Sequence, residues 1–176
     1  MMHQPADQPV PRVVAWESTQ ACNLVCRHCR ASAQEMSHPD ELTTGEVKRL
    51  VDQIAAFSRP IFIISGGEPL MRPDIFDIAR YATDQGLRVA MSPNGTLITP
   101  ENVEQMKDSG IKRISVSLDG SCAERHDAIR GVPGAFDAAV RGMGYCREAG
   151  LPFQVNTTVM RQNVDDLPAT LDFVVE

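Results

Sequence analysis

The sequence has no apolar run approaching the ~18 residues that a membrane-spanning helix requires, so nothing in it predicts a membrane span. Positive charge does not dominate either. Lys and Arg number 17 against 23 Asp and Glu, a net charge of −6, which gives no electrostatic reason to expect nucleic acid as a partner. The acidic excess reads as a solvated surface. A secretion signal is also missing. Residues 1–12 are polar and contain proline, which predicts a flexible N-terminal segment rather than a signal peptide or anchor. Without such a signal, five cysteines, an odd number, argue against a disulfide framework. They read instead as reduced thiols of a cytoplasmic protein, available to bind metal. No internal repeat exists beyond an alternation of strand and helix signals, and no low-complexity tract interrupts it.

What the sequence does contain begins with Cys22, Cys26 and Cys29, spaced C-x3-C-x2-C directly after the apolar run Val13-Val14-Ala15-Trp16. Thiolates at these offsets on one tight loop can grip three corners of an iron–sulfur cube. With no fourth cysteine nearby, one iron stays open for a small ligand. The alternative is zinc, which in structural sites takes four ligands, often from two C-x2-4-C pairs. Only one cysteine group is present, and His28 adjoins Cys29 too tightly for both to bind one ion comfortably. A second string, Gly66-Gly67-Glu68-Pro69, closes another apolar run, Ile61 to Ile64. Alone it would read as a β-turn whose glycines supply positive φ.

Between and beyond these strings the chain alternates strand and helix signals. Thr43-x-x-Glu46 predicts a capping box, followed by Val47, Leu50, Val51 and Ile54 at helical spacing. The run 60–65 predicts a strand buried on both faces. Pro73-Asp74 opens a second helix carrying Ile75, Ile78, Ala79 and Ala82 and stopping near Gly86. A strand over 87–92 follows, then a helix with Thr99 as N-cap and Pro100 at its first position, ending near Gly110. A strand over 112–118 leads to a helix face of Phe136, Ala139, Val140 and Met143, stopped by Gly150. The strand 153–159 comes last, and Asp165 or Asp166 begins a fifth helix.

Five βα units predict an α/β fold with a parallel sheet covered by helices, curved as a barrel or doubly wound. Each polar string falls at the C-terminal end of a strand: the cysteine loop, the Gly-Gly-Glu-Pro string, Ser92-Pro93-Asn94-Gly95, Ser117-Leu118-Asp119-Gly120 and Asn156-Thr157. A barrel gathers its site along that rim, whereas a doubly wound sheet concentrates contacts at one switch point. The spread predicts a partial (β/α)6 TIM-like barrel over residues 13–176. The last residues, Leu171 to Glu176, run along an apolar helix without a stop signal, so the barrel is expected to be truncated after its fifth βα unit.

Taken together, Cys22-x3-Cys26-x2-Cys29 and Gly66-Gly67-Glu68-Pro69 resemble the radical S-adenosylmethionine (SAM) superfamily. Val116-Ser117-Leu118-Asp119-Gly120, with His126-Asp127-Ala128-Ile129-Arg130-Gly131, is similar to its SPASM group, whose members mature peptides, make pyrroloquinoline quinone or modify haem precursors. Val14-Ala15-Trp16-Glu17 and Cys26-Arg27-His28-Cys29-Arg30-Ala31 most resemble the haem-pathway members. The resemblance covers roughly residues 13–170. One departure is His28, where the family pattern usually has an aromatic residue before the third cysteine.

The resemblance implies a [4Fe–4S] cluster on Cys22, Cys26 and Cys29, with SAM chelating the fourth iron. It further implies that Glu68 accepts from the SAM ammonium while Gly66 and Gly67 admit backbone close to the ligand. By the same resemblance Arg130 grips the SAM carboxylate, Ser117 meets the ribose hydroxyls and His28 lies near the adenine. Ser92 and Asn94 are rim candidates facing SAM or substrate. The implied chemistry is reductive cleavage of SAM and hydrogen abstraction from a haem precursor or peptide, with an electron donor such as flavodoxin or ferredoxin. Two rival readings remain open: a cluster- and SAM-binding fragment without catalytic competence, and a zinc-stabilised interaction domain. Cys146, on the apolar helix face, is expected to be a buried small hydrophobe, Cys122 to lie incidentally in a loop, and Asp119 to be a turn residue. His3, His38 and His126 lack ligand-like spacing and are expected in loops or at the surface.

Overall fold

The computed structural model describes residues 10–175, so most of the predicted N-terminal segment, His3 included, lies outside the described residues. One sheet contains β1 (Val13–Glu17), β2 (Ile61–Ser65), β3 (Arg88–Met91), β4 (Arg113–Ser117) and β5 (Phe153–Asn156). The strands pair in chain order and every pairing is parallel. A doubly wound sheet reverses its strand order at a switch point. This sheet never does, and so forms the wall of a TIM-like barrel.

The helices are α1 (Thr44–Phe57), α2 (Ile75–Asp84), α3 (Pro100–Asp108), α4 (Ala123–Arg130), α5 (Ala135–Glu148) and α6 (Leu167–Val175). Local chemistry sets their starts. The Thr43 hydroxyl accepts from the Glu46 N–H, and the Glu46 carboxylate accepts from the Thr43 N–H at 2.9 Å, the predicted capping box. Thr99 and Asn102 make the same reciprocal pair ahead of α3, with Pro100 at its first position. α4 was not foreseen. Its sequence carries few apolar residues, and only His126, Ile129 and Arg130 are buried; Gly131, with φ +78°, ends it in the left-handed region. The last helix starts at Leu167, after a short 3-10 turn over Val164–Asp166, rather than at either aspartate. The fifth strand stops at Asn156, because the hydroxyl of Thr157 and the N–H of Thr158 turn to the Leu118 carbonyl and the Asp119 carboxylate instead of continuing the ladder.

Alternation along the strands separates two faces. Trp16, Phe62, Ile64, Val89, Met91, Ile114 and Val116 form one core with Val47, Val51, Ile78, Ala79, Val103 and Met106 of the helices. The other face carries Ala15, Ile63, Ala90 and Ser115, none of them fully buried. The expectation that 60–65 is buried on both faces is therefore corrected. Phe62 and Ile64 have no exposed surface while Ile61, Ile63 and Ser65 are half-buried, since helices cover only the convex side. Phe62→Ala, which empties the centre of the helix-covered core, is expected to cost about 3–5 kcal/mol in urea unfolding; a loss below ~1 kcal/mol would show that this face is not the core.

Candidate functional site

On the concave face each strand ends in a polar residue or is followed by one. Ser65, Ser92, Ser117 and Asn156 share that face, Ser117 being paired with Asn156 across β4 and β5. All four line a cavity of about 500 Å3, together with Cys22, Cys26, His28, Cys29, Gly66, Gly67, Asn94, Arg130 and Thr158. The three cysteines predicted as a group thus meet the strand-end residues at one place. Cys22 is buried, Cys26 half-buried and Cys29 exposed, and all five cysteines are free.

The cysteines ride on residues 18–43, a long excursion without a helix or extended strand, and loops of this length need fixing by something other than secondary structure. Part of the fixing is internal. An isolated bridge joins Ala21 to Gln34, with the Cys22 N–H donating to the Gln34 carbonyl at 2.7 Å. The next part is the Gly-Gly-Glu-Pro loop, whose Gly67 and Glu68 N–H groups donate to the carbonyls of Thr19 and Ala21, both at 2.7 Å. A Cβ on Gly67 would stand 2.3 Å from the Ala21 oxygen, and one on Gly66, at φ +140°, 2.6 Å from the Thr19 oxygen. These glycines are required first by the cysteine loop's own backbone, pressed against them, and not only by a ligand.

Glu68 also differs from expectation. Its carboxylate is absent from the cavity wall and has no exposed surface. Its two oxygens accept from the Leu70 N–H at 3.0 Å and the Asn94 N–H at 2.6 Å, tying the loop after β2 to the loop after β3. Burial pushes its pKa up to about 7, against the opposing pull of those two N–H groups.

Sequence reasoning missed Arg72, which closes the base of the excursion. It is buried, and its guanidinium donates to the Ser18 carbonyl, the Leu42 carbonyl (both 2.8 Å) and the Asp74 carboxylate (2.7 Å), 5.2 Å above the Trp16 ring. Beside it, Glu41 accepts from the Thr19 hydroxyl, the Gln20 N–H and the His38 N–H. Two ends of the loop are thereby held together by one cation and one anion. An arginine three residues past a Gly-Gly-Glu-Pro string was legible, but nothing in the sequence marked it as buried.

The last fixing element is the overlooked helix. The N–H groups of Val25 and Arg27 donate to the carbonyls of Arg130 and Ile129, at 3.2 and 3.0 Å, so the cysteine loop docks on the C-terminal end of α4. Arg130 lies in that last turn, buried rather than in a solvated loop, with Nη1 donating to Cys26 Sγ at 3.7 Å. Its Nη2 lies 2.8 Å from Asp119 Oδ2, an ion pair without hydrogen-bond alignment. Asp119 is fully buried and no mere turn residue: His28 Nε2 is 3.5 Å from the same oxygen, and Oδ1 accepts from the Thr158 N–H. Burial holds the His28 pKa below its usual value despite Asp119. His126, expected in a loop, is buried on α4, its pKa lowered to about 4 by burial, and accepts from the Asp119 N–H at 3.1 Å. Cys122 occupies the N-cap position of α4, and Cys146 is buried as expected, its thiol pushed up to about 11. His38 is exposed.

The profile of the radical SAM superfamily matches residues 16–174. This chain belongs to the radical SAM superfamily. The "AdoMet-dependent heme synthase" of Nitratidesulfovibrio vulgaris is 53% identical over 156 residues, covering 89% of this chain and 42% of that protein. The protein of the same name from Methanosarcina barkeri is 50% identical over 166 residues, covering 94% of this chain and 48% of that one. The chain therefore spans about half the length of the curated relatives it matches. Among solved structures, Streptococcus suis SuiB bound to its precursor peptide SuiA superposes with a TM-score of 0.81 at 20% identity, covering 94% of this chain and 37% of SuiB. That likeness shows the fold.

Members of this superfamily bind a [4Fe–4S] cluster and SAM, and the donor set here fits both. Among the described residues no three His, Cys, Asp or Glu side chains converge enough to hold a single metal ion. A cube takes each thiolate on a separate iron, so thiols spread round one cavity suit it better than they suit zinc. Each thiol sulfur already faces a donor: Leu24 N–H for Cys22 at 3.4 Å, Arg130 for Cys26, and Ala33 N–H for Cys29 at 3.3 Å. His28 Nδ1 and Arg130 Nε are buried without partners, which leaves nitrogens at the site to spend on a ligand.

Arg72→Met is expected to lower stability by about 1–3 kcal/mol, because it removes the partner of the buried Ser18 carbonyl and of the half-buried Asp74 carboxylate and unties the Leu42 carbonyl. Arg72→Lys should recover only part, since an ammonium cannot span Ser18, Leu42 and Asp74 together. Full recovery by lysine in urea unfolding would show that the planar fork is not needed.

Proposed function

We propose that this chain, from Val13 onward, is the SAM-binding core of a radical SAM enzyme acting on a haem precursor. The observation that carries the reading is the convergence of Cys22, Cys26 and Cys29 with Ser65, Ser92, Ser117 and Asn156 on the wall of one cavity. The names of its relatives at 50% identity and above support the substrate class. The cluster and SAM, when bound, supply one-electron cleavage of the sulfonium and a carbon radical that takes a hydrogen atom from the substrate.

The chain's own residues bind, orient and enclose. Cys22, Cys26 and Cys29 hold three irons. Arg130 offers its unpartnered Nε–H to a carboxylate, a charge-assisted bond that fits the amino-acid end of SAM. Ser117, Asn156 and Thr158 line the same cavity with donors and acceptors suited to ribose hydroxyls, and Ser92 and Asn94 line it with them. Glu68 holds the Asn94 loop in place, so its influence on SAM runs through Asn94 and the backbone of Gly66 and Gly67. A one-electron donor such as flavodoxin or ferredoxin supplies the electron, and free thiols suit a reducing cytoplasm.

The deciding experiment is anaerobic reconstitution with iron and sulfide, followed by electron paramagnetic resonance of the reduced protein with and without SAM. A [4Fe–4S] signal that changes on adding SAM is expected for the wild type and for Cys146→Ala. Cys22→Ala, Cys26→Ala and Cys29→Ala should each lose the SAM-responsive signal. A SAM-responsive cluster surviving in Cys26→Ala would overturn the ligand assignment, and zinc in place of iron would overturn the family chemistry for this chain. Incubation with an iron porphyrin or porphyrinogen and SAM, against a peptide control, should release 5′-deoxyadenosine with the tetrapyrrole alone.

A further inference from the structure

The three thiols are not solvated alike. Cys22 Sγ receives the Leu24 N–H at 3.4 Å and Asn94 Nδ2 at 3.8 Å, and Cys29 Sγ receives the Ala33 N–H at 3.3 Å. All of these donors are neutral amides. Cys26 alone of the three receives a cation, Arg130 Nη1 at 3.7 Å. That cation is in turn countered by Asp119, 2.8 Å from Nη2.

Asp119 is held with unusual completeness. It has no exposed surface, its Oδ1 accepts from the Thr158 N–H at 2.8 Å, its N–H donates to His126 Nδ1 at 3.1 Å, and its carbonyl accepts from Asn163 Nδ2 at 3.0 Å. Two other chain segments, α4 and the stretch after β5, fix it. Its Oδ2 is then left facing only Arg130 and His28, and makes no aligned hydrogen bond to either. A carboxylate built in so firmly, with one oxygen aimed at a guanidinium that touches a cluster ligand, is poorly explained as a fold-stabilising ion pair. Buried pairs of this kind are often no better for stability than apolar replacements.

We propose that Asp119 and Arg130 are positioning residues that set the reduction potential of the cluster through Cys26. This rests on the cluster assignment made above. The potential of an iron–sulfur centre follows the net charge around it and the hydrogen bonds to its sulfurs, and partners behind the ligands tune it. Arg130 places positive charge and an N–H donor on the Cys26 sulfur, which favours the reduced, more negative cluster. Asp119 opposes that charge and restrains the guanidinium. The two groups therefore act on the potential with opposite sign, which a loss of packing would not do.

The test is a mediated redox titration of wild-type, Asp119→Asn and Arg130→Gln proteins, each reconstituted with iron and sulfide, without SAM, and followed by the electron paramagnetic resonance signal of the reduced cluster. The midpoint of Asp119→Asn is expected above wild type and that of Arg130→Gln below it. Midpoints that coincide with wild type, or that move in the same direction, would overturn the proposal while leaving the cluster assignment intact. If Asp119→Asn takes up no cluster, Arg130→Gln decides alone, and a midpoint at or above wild type would overturn it. A wild-type protein that forms no cluster would overturn the assignment and this proposal with it.

Discussion

The structure depends on one constraint: 26 residues without helix or extended strand, 18–43, must present three sulfurs in fixed positions. Ordering that much irregular backbone costs about 1–2 kcal/mol per residue in conformational entropy, and the loop contributes only a small apolar cluster of its own, Cys22 and Leu24 against Ala135. Backbone hydrogen bonds therefore carry the burden. They come from three directions: the Gly66–Glu68 loop, the C-terminal end of α4, and the Arg72–Glu41 pair at the base. Each neighbour meets that demand with a residue type few others could replace. Gly66 and Gly67 leave room for the Thr19 and Ala21 carbonyls, Gly131 leaves room for Val25, and Arg72 reaches two carbonyls and a carboxylate at once.

Several sequence strings that look like ligand motifs therefore do a second job. Glu68 is the clearest case. By resemblance it is a ligand to the SAM ammonium, yet its two oxygens are occupied by the N–H groups of Leu70 and Asn94. Arg130 likewise serves as the end of a helix, the partner of Asp119 and the donor to Cys26 before any ligand arrives. A motif of this kind is constrained from two sides, by the chemistry it performs and by the loop it supports.

How much was legible follows from which residues announce their environment. The parallel βα rhythm was readable from apolar runs and caps, because Thr43-Glu46 and Thr99-Pro100 act locally. The three cysteines were readable as one group because they share a single short loop, and they line one cavity. α4 was not, since AERHDAIR has neither a clear apolar stripe nor a side-chain cap; it is held by tertiary contacts, to the cysteine loop and to the start of α5. Arg72, Asp119 and His126 were missed for a related reason. Charged and polar types are mostly exposed, and only the tertiary structure shows these three buried and partnered. The face-by-face burial of β2 was misread because Ile61 and Ile63 look like core, while the concave side of this wall is given over to the cavity.

The electrostatics of that cavity follow from the same burial. No Asp or Glu is among the described residues that line it, although acidic residues outnumber basic ones in the chain. The carboxylates closest behind the wall are muted. Asp119 faces Arg130, and burial pushes the Glu68 pKa up to about 7. Burial lowers the pKa of His28, which disfavours its charged form. The exposed Arg30 at the rim is taken up by Glu17, which leaves Arg130 as the cation that faces inward. A cavity with one inward arginine and several serine, asparagine and amide groups accepts anions without the like-charge repulsion that acidic walls would add. On the function proposed above, the cluster's thiolates and the SAM carboxylate would be such anions. An unpaired carboxylate on that wall would repel them, and the structure keeps both nearby carboxylates off it: Asp119 is paired with Arg130, and Glu68 is buried and turned to the Leu70 and Asn94 N–H groups.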